Sequence, residues 1–300
     1  MIFFVRNFFL NPIILATVAL LLFSCNEKKD EIKNSENSAS SPWLNHNASA
    51  RYVGKQTCRL CHENIYNTFM ETGMGRSIGS ALSKNSAADF SHPVIHDFTR
   101  NYSYQAFRKK DTIYILEFRM EGKDTVHKRL EKVDFIIGSG QHTNSHLINT
   151  NGYLNQAPMT FYTQKGKWDM PPGFENGKNS RFSRLIGLEC MSCHNAFPEF
   201  VTGSENKFSS VPSGIDCERC HGPGSIHVQQ KSNQQLVDTS KEIDYSIVNP
   251  AKLPIERQFD VCMRCHLQGN AILANGKSWF DFKPGMKLNE YISVFLPRYS

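Results

Sequence analysis

The chain has 300 residues, 40% hydrophobic and 21% charged, with 34 Lys+Arg against 28 Asp+Glu. That balance excludes a wholly disordered chain, a collagen-like chain and a polytopic membrane protein. The formal charge of +6 is spread along the sequence rather than gathered into a basic footprint, so no nucleic-acid partner is expected.

Residues 1–24 carry one charge, Arg6, ahead of an apolar run from Pro12 to Phe23, the layout of a secretory signal. The run ends Leu22-Phe23-Ser24-Cys25, which has the form of a bacterial lipoprotein cleavage site. Cys25 is then the lipidated first residue of the mature chain, which also accounts for an odd ninth cysteine in an exported protein. Residues 25–50 are polar and rich in Ser, Asn, Glu and Lys, and read as a flexible tether. The expected location is the periplasm or cell surface, with the lipid in a membrane of a Gram-negative bacterium.

The other eight cysteines form four pairs, each followed at once by histidine: Cys58, Cys61 and His62; Cys190, Cys193 and His194; Cys217, Cys220 and His221; Cys262, Cys265 and His266. This is the attachment motif of c-type haem. Two thiols add to the two porphyrin vinyl groups, and the next residue reaches the iron as its proximal imidazole, so all three must come from one short turn. Zinc ribbons and disulfides also use paired cysteines. Neither requires His after every second cysteine, and with 11 His in 300 residues four such coincidences have a chance of roughly 2 in a million. Four covalently bound haem c groups are expected. Their propionates, roughly eight, would bring the holoprotein close to neutral.

Between the first and second motifs, Tyr114, Leu116, Phe118 and Met120 alternate with Ile115, Glu117 and Arg119, the pattern of a half-buried strand. Residues 133–137 and 153–162 read as further strands, and 63–71 and 256–265 as helices. The expected fold is a mainly α and irregular multihaem cytochrome c fold with a small antiparallel β insertion, the haems forming much of the core. The segments are 51–100 around the first haem, 101–185 as the β-rich insertion and 186–300 with three haems.

Each iron has a sixth position. Apart from the proximal residues, His46, His92, His96, His127, His142, His146 and His227 remain, with Met74 as a further candidate. His227 follows Gly222-Pro223-Gly224, a turn able to swing it toward a neighbouring haem. His142 follows Gly138-Ser139-Gly140, where backbone can approach a flat cofactor closely. His46 lies in the tether and is the weakest candidate, and His127 sits in a charged strand expected to face water.

Several segments resemble the multihaem cytochromes c of the cytochrome c-554-like group. They are Tyr52-Val53-Gly54, Gly138 to His142, Trp168 to Gly173, Cys190 to Asn195, Cys217 to Gly224 through His227, and Asn249 to Leu253. The resemblance implies closely paired haems, mostly bis-His iron and electron transfer. It favours His96, His142 and His227 as distal ligands, places Met74 where relatives can hold a ligand, and suggests a structural role for His146.

The expected function is an exported, lipid-anchored tetrahaem cytochrome that relays electrons between redox partner proteins. Two alternatives stay open. One is a multihaem oxidoreductase with one open-coordination haem acting on a small nitrogen or sulfur species. The other is a binding module within a larger surface complex. No catalytic side chain is singled out.

Overall fold

The computed structural model describes residues 41–267 and 269–296. The signal segment, Cys25 and residues 26–40 of the tether lie outside the described residues.

Antiparallel strands dominate residues 78–185. The tightest part is a meander of four strands, Val94–Asp97, Tyr102–Lys109, Thr112–Glu121 and Asp124–Lys132, each paired with the next. Its two tight turns use residues with positive φ, Lys110 at 54° and Gly122 at 61°, the backbone that two-residue hairpins require. A second sheet runs in the order Ile78–Ser80, Phe135–Ile137, Thr143–Thr150, Tyr153–Tyr162 and Arg184–Leu185, with Lys167–Asp169 also paired to Tyr153–Tyr162. Both sheets contribute to one apolar core, which includes Tyr104, Ile113, Ile115, Val133, Met159 and Trp168.

Two expectations are corrected here. Among the described residues 22% are helical and 30% lie in strands, so the fold is not mainly α. The β region is the larger structured body because its alternating apolar residues build a protein core that needs no porphyrin. The second correction concerns Thr112–Glu121, whose phase is the reverse of the one its apolar residues suggest. It buries Ile113, Ile115 and Glu117, while Tyr114, Leu116 and Phe118 are only half-buried and Met120 is exposed. A carboxylate can occupy the core face because it is paired there. Arg181 donates to both Glu117 oxygens, and His127 bonds Glu117 Oε1 at 2.9 Å. His127 is therefore turned into this network rather than toward water.

The motif-bearing segments are built differently. Their helices are short: Lys55–Arg59, Glu63–Met70, Leu188–His194, Glu218–His221, Ser225–Ser232 and Ile255–Met263. Helices of this length do not hold themselves in water. Two are tied to distant segments by side chains. Glu218 accepts hydrogen bonds from the backbone N–H of Val53, Gly54 and Gly224 at 2.7–3.1 Å, and Ser77 Oγ donates to the His194 carbonyl at 2.7 Å. Gly214 marks a close crossing: it has φ +59°, and a Cβ there would overlap the Gly75 carbonyl.

Packing also begins earlier than the 25–50 tether implies. Trp43 and Ala50 are buried, and Asn45 Nδ2 donates to the His221 carbonyl at 2.8 Å. The compact unit starts at Pro42.

Candidate functional site

The four motifs form short helical turns. In three of them the His N–H reaches back to the carbonyl of the first cysteine, His62 to Cys58, His221 to Cys217 and His266 to Cys262, all at 3.0 Å. The turn brings the two thiols and the imidazole of one motif together. All eight motif cysteines are free thiols. Among the described residues, no group of three or more His, Cys, Asp or Glu is gathered in a way that would hold a metal ion by itself. The four-disulfide and zinc readings therefore find no support in the geometry.

The first and third motifs meet, with the Cys58 and Cys217 thiols as close neighbours on the wall of one cavity. So do the second and fourth, through Cys193 and Cys265. The first pairing borders a cavity of about 720 Å³. Cys58, Cys61 and His62 line one side, Cys217, His221 and His227 another, and Ile65, Val228, Leu236, Val237, Ile243 and Val248 make its apolar wall. That volume lies within the range of pockets that enclose a cofactor.

At this cavity the planes of the His62 and His227 rings lie 20° from parallel, with centroids 6.4 Å apart. The separation is informative. A metal–nitrogen bond of about 2 Å, plus about 1.1 Å from nitrogen to ring centre on each side, gives roughly 6.2 Å for two imidazoles whose edge nitrogens point at one metal, so the separation leaves room for one between them. His227 Nδ1 bonds Ser246 Oγ at 2.9 Å, and in the third motif His221 Nδ1 bonds the Val248 carbonyl at 2.8 Å. Such partners fix the ring and leave Nε2 for a metal. Burial also lowers the pKa of His194, His221 and His227, favouring the neutral imidazole that ligates. The residues present fit haem.

The other candidate ligands are placed unequally. Met74 is partly exposed, but its carbonyl accepts from Ile215 N at 3.0 Å, two residues before the third motif. The loop that carries His142 abuts the same segment, since a Cβ on Gly73 would touch Gln141 Oε1 and Ser139 Oγ. Ser77, at the end of that segment, holds the His194 carbonyl. Met74 and His142 thus lie on adjoining loops beside the second and third motifs. His96 stands on the exposed face of Val94–Asp97, bonded to Ser103 Oγ at 2.8 Å. His46 is part of the packed unit, and its Nε2 is taken by the Pro284 carbonyl at 2.8 Å. His146 is fully buried, stacked on Trp168 at 5.2 Å with Nδ1 on the Met159 carbonyl. Its role is in the sheet core, as the resemblance suggested.

Two buried residues had no sequence signal beyond their motif positions. Arg219 and Arg264, each just before the second cysteine of its motif, are 2% and 6% exposed. Among the described residues no carboxylate bonds either guanidinium, and the Arg219 Nε and Nη1 atoms have no hydrogen-bond partner.

The family described as cytochrome c554 and c-prime matches residues 159–222. A multiheme cytochrome MtrA from Shewanella baltica (strain OS185) is 28% identical over 93 residues, which are 29% of this chain and 25% of that protein. This chain thus matches about a quarter of that relative's length. Among solved structures, the outer cell wall cytochrome OcwA aligns with 81% of this chain and 45% of its own, at 16% identity and a TM-score of 0.48. An undecaheme cytochrome from the S-layer of Carboxydothermus ferrireducens aligns with 77% and 29%, at 16% identity and a TM-score of 0.38.

Proposed function

We propose that this chain, a multihaem c-type cytochrome, is an exported tetrahaem carrier, anchored by a lipid on Cys25, that relays electrons between redox partner proteins outside the cytoplasm. The observation that carries the reading is the His62–His227 pair, two rings with centroids 6.4 Å apart at an apolar cavity bordered by two attachment motifs.

Cys58 and Cys61, Cys190 and Cys193, Cys217 and Cys220, and Cys262 and Cys265 would hold four haems by thioether bonds. His62, His194, His221 and His266 would be proximal ligands, with His227 opposite His62. Met74 and His142 are the candidates for positions near the second and third motifs, and His96 the weakest of those the resemblance favours. When bound, each haem iron exchanges one electron between its ferric and ferrous states. The chain holds the ligand rings by hydrogen bonds to Ser246 and Val248 and excludes water with the cavity's aliphatic wall. The thiol contacts between motifs bring attachment points into two adjacent pairs, the layout a relay needs.

Mass measurement of the exported protein should find four haems per chain and a diacylglycerol on Cys25. Carbon monoxide added to the reduced holoprotein tests relay against enzyme. The expected result is no uptake, every sixth position being filled. Uptake of about one carbon monoxide per chain would overturn the carrier reading in favour of an oxidoreductase with an open haem.

A further inference from the structure

We propose that the outer face of the four-strand meander is an interface with a second copy of this chain, the two sheets stacked face to face with their strands antiparallel. The inference goes beyond the electron-relay reading and does not rest on it.

This part of the chain is layered. The inner face of the meander, with Ile95, Tyr104, Ala106 and Ile115, packs on Ile148, Ala157, Met159 and Phe161 of the second sheet. The other side of that sheet sets Leu147 and Leu154 against Met191, inside the second motif. The outer face of the meander is therefore the side turned away from that motif.

The register places alternate residues of all four strands on this outer face. One row across it is Val94, Gln105, Leu116 and Leu130. The row on one side holds Phe118, and the row on the other holds Phe107 stacked on Tyr114 at 5.6 Å. Val94, Val126 and Leu130 are 42%, 51% and 54% exposed, and Phe98, just past the first strand, is 90% exposed. An antiparallel sheet with one solvated face is expected to turn polar residues outward. A contiguous apolar face instead marks an interaction site.

Three observations select the occupant. The first is distance. Two layers of sheet packing, about 20 Å, lie between this face and the second motif. Electron tunnelling falls steeply with distance, so a redox donor or acceptor gains nothing by docking here. The second is charge. Lys132 is held by Asp134 at 2.8 Å, which leaves Lys128 and His96 as the basic groups within the face. An anionic lipid surface calls for more cations than that. The ends of the meander, however, differ in sign. Exposed Arg108, Lys109 and Lys110 surround one turn with a single acid, Asp111. Exposed Glu121 and Asp124 flank Lys123 at the turn on the opposite end. Arg100, also at that end, is turned to the Gly177 carbonyl at 3.2 Å. A two-fold axis lying across the strands sets the basic turn of each copy beside the acidic turn of the other. The third is area. Four strands of about eight residues cover roughly 500 Å², so two copies bury about 1,000 Å², the size at which a specific interface begins. The dimer is accordingly weak and reversible, and its motif-bearing sides point outward.

The test is sedimentation equilibrium of purified holoprotein from about 1 to 100 μM. The chain is exported behind a cleavable signal with Cys25→Ser, so that neither lipid nor detergent enters. Wild type should fit a monomer–dimer equilibrium that weakens with salt. Leu130→Asp should weaken it about tenfold or more, with haem content and strand circular dichroism unchanged. Lys109→Glu should also weaken it, and adding Glu121→Lys to that variant should restore it. Should Leu130→Asp fail to fold, Val126→Asp decides in its place. A wild type that stays monomeric throughout would overturn the proposal. So would a dimer indifferent to Leu130→Asp and Val126→Asp, or a double charge reversal that restores nothing. Monomers that bind phosphatidylglycerol vesicles through Leu130 would also overturn it and give the face to a membrane.

Discussion

The β region and the motif-bearing region of this chain are stabilised by opposite means. In the sheets, Tyr104, Ala106, Ile113, Ile115, Leu147 and Met159 are completely buried by other protein atoms. Even the buried carboxylate of Glu117 is paired there, by Arg181 and His127. In the motif-bearing region, Leu60, Ile65, Leu236 and Phe259 are 83%, 66%, 78% and 60% exposed. Three of them, Leu60, Ile65 and Leu236, line the 720 Å³ cavity. One region finishes its core with its own residues. The other leaves apolar surface for a group the polypeptide does not supply.

The largest expected effect separates the two regions outright. Protein made without haem should keep slow amide exchange in the strands Tyr102–Lys109, Thr112–Glu121 and Tyr153–Tyr162, while residues 55–70 and 217–265 exchange as an unfolded chain. Equal protection in both would break the contrast. Within the sheets, Arg181→Met should cost about 3 kcal/mol in a denaturant titration, because Glu117 would be left buried with His127 as its remaining partner. At present burial pushes the Glu117 carboxyl upward, and the hydrogen bonds from Arg181 and His127 outweigh it, holding it below its usual range.

His146 gives a pH dependence of known sign. Burial lowers its pKa from 6.5 to about 4, so between these values the unfolded chain binds more protons than the native one. Sheet stability should fall as pH drops from about 6.5 to 4, by ~3 kcal/mol in all, and be constant above. His146→Phe should abolish that loss, and thermal melts of both proteins across this range check it. The smallest effect belongs to the motif-bearing region. Asn249→Ala removes the side-chain cap on Ala251 N at the short turn Pro250–Lys252. It should cost about 1 kcal/mol, with the sheet transition unmoved.

The same contrast decided what could be read from the sequence. The four motifs were legible because covalent attachment fixes their spacing. Helices at 63–71 and 256–265 came within two residues of those formed, Glu63–Met70 and Ile255–Met263. The strands at 153–162 and around 114–120 were also legible, but the buried face of the second was not. Alternation shows period and not phase when a core position holds Glu117, and its partner Arg181 is 64 residues away. The extent of the sheets was hidden by strands of two to four residues, such as Ile78–Ser80 and Arg184–Leu185, which no window of periodicity detects. The approach of His62 and His227 needed the turn after Gly224 and the Glu218 bonds to Val53 and Gly54, contacts that exist only in three dimensions.

The His62–His227 pair has a consequence for how the protein is made. His227 follows His62 by 165 residues. At about 5–20 residues per second, the first motif emerges some ten to thirty seconds before its opposing imidazole exists. Through that interval the first site has one histidine. The same interval separates Val53 from Glu218, whose carboxylate draws the two stretches together. Under the proposed ligation, assembly of the first site therefore waits on synthesis of the third motif, and a nascent chain halted before residue 218 would hold an unfinished site however early its cysteines were joined.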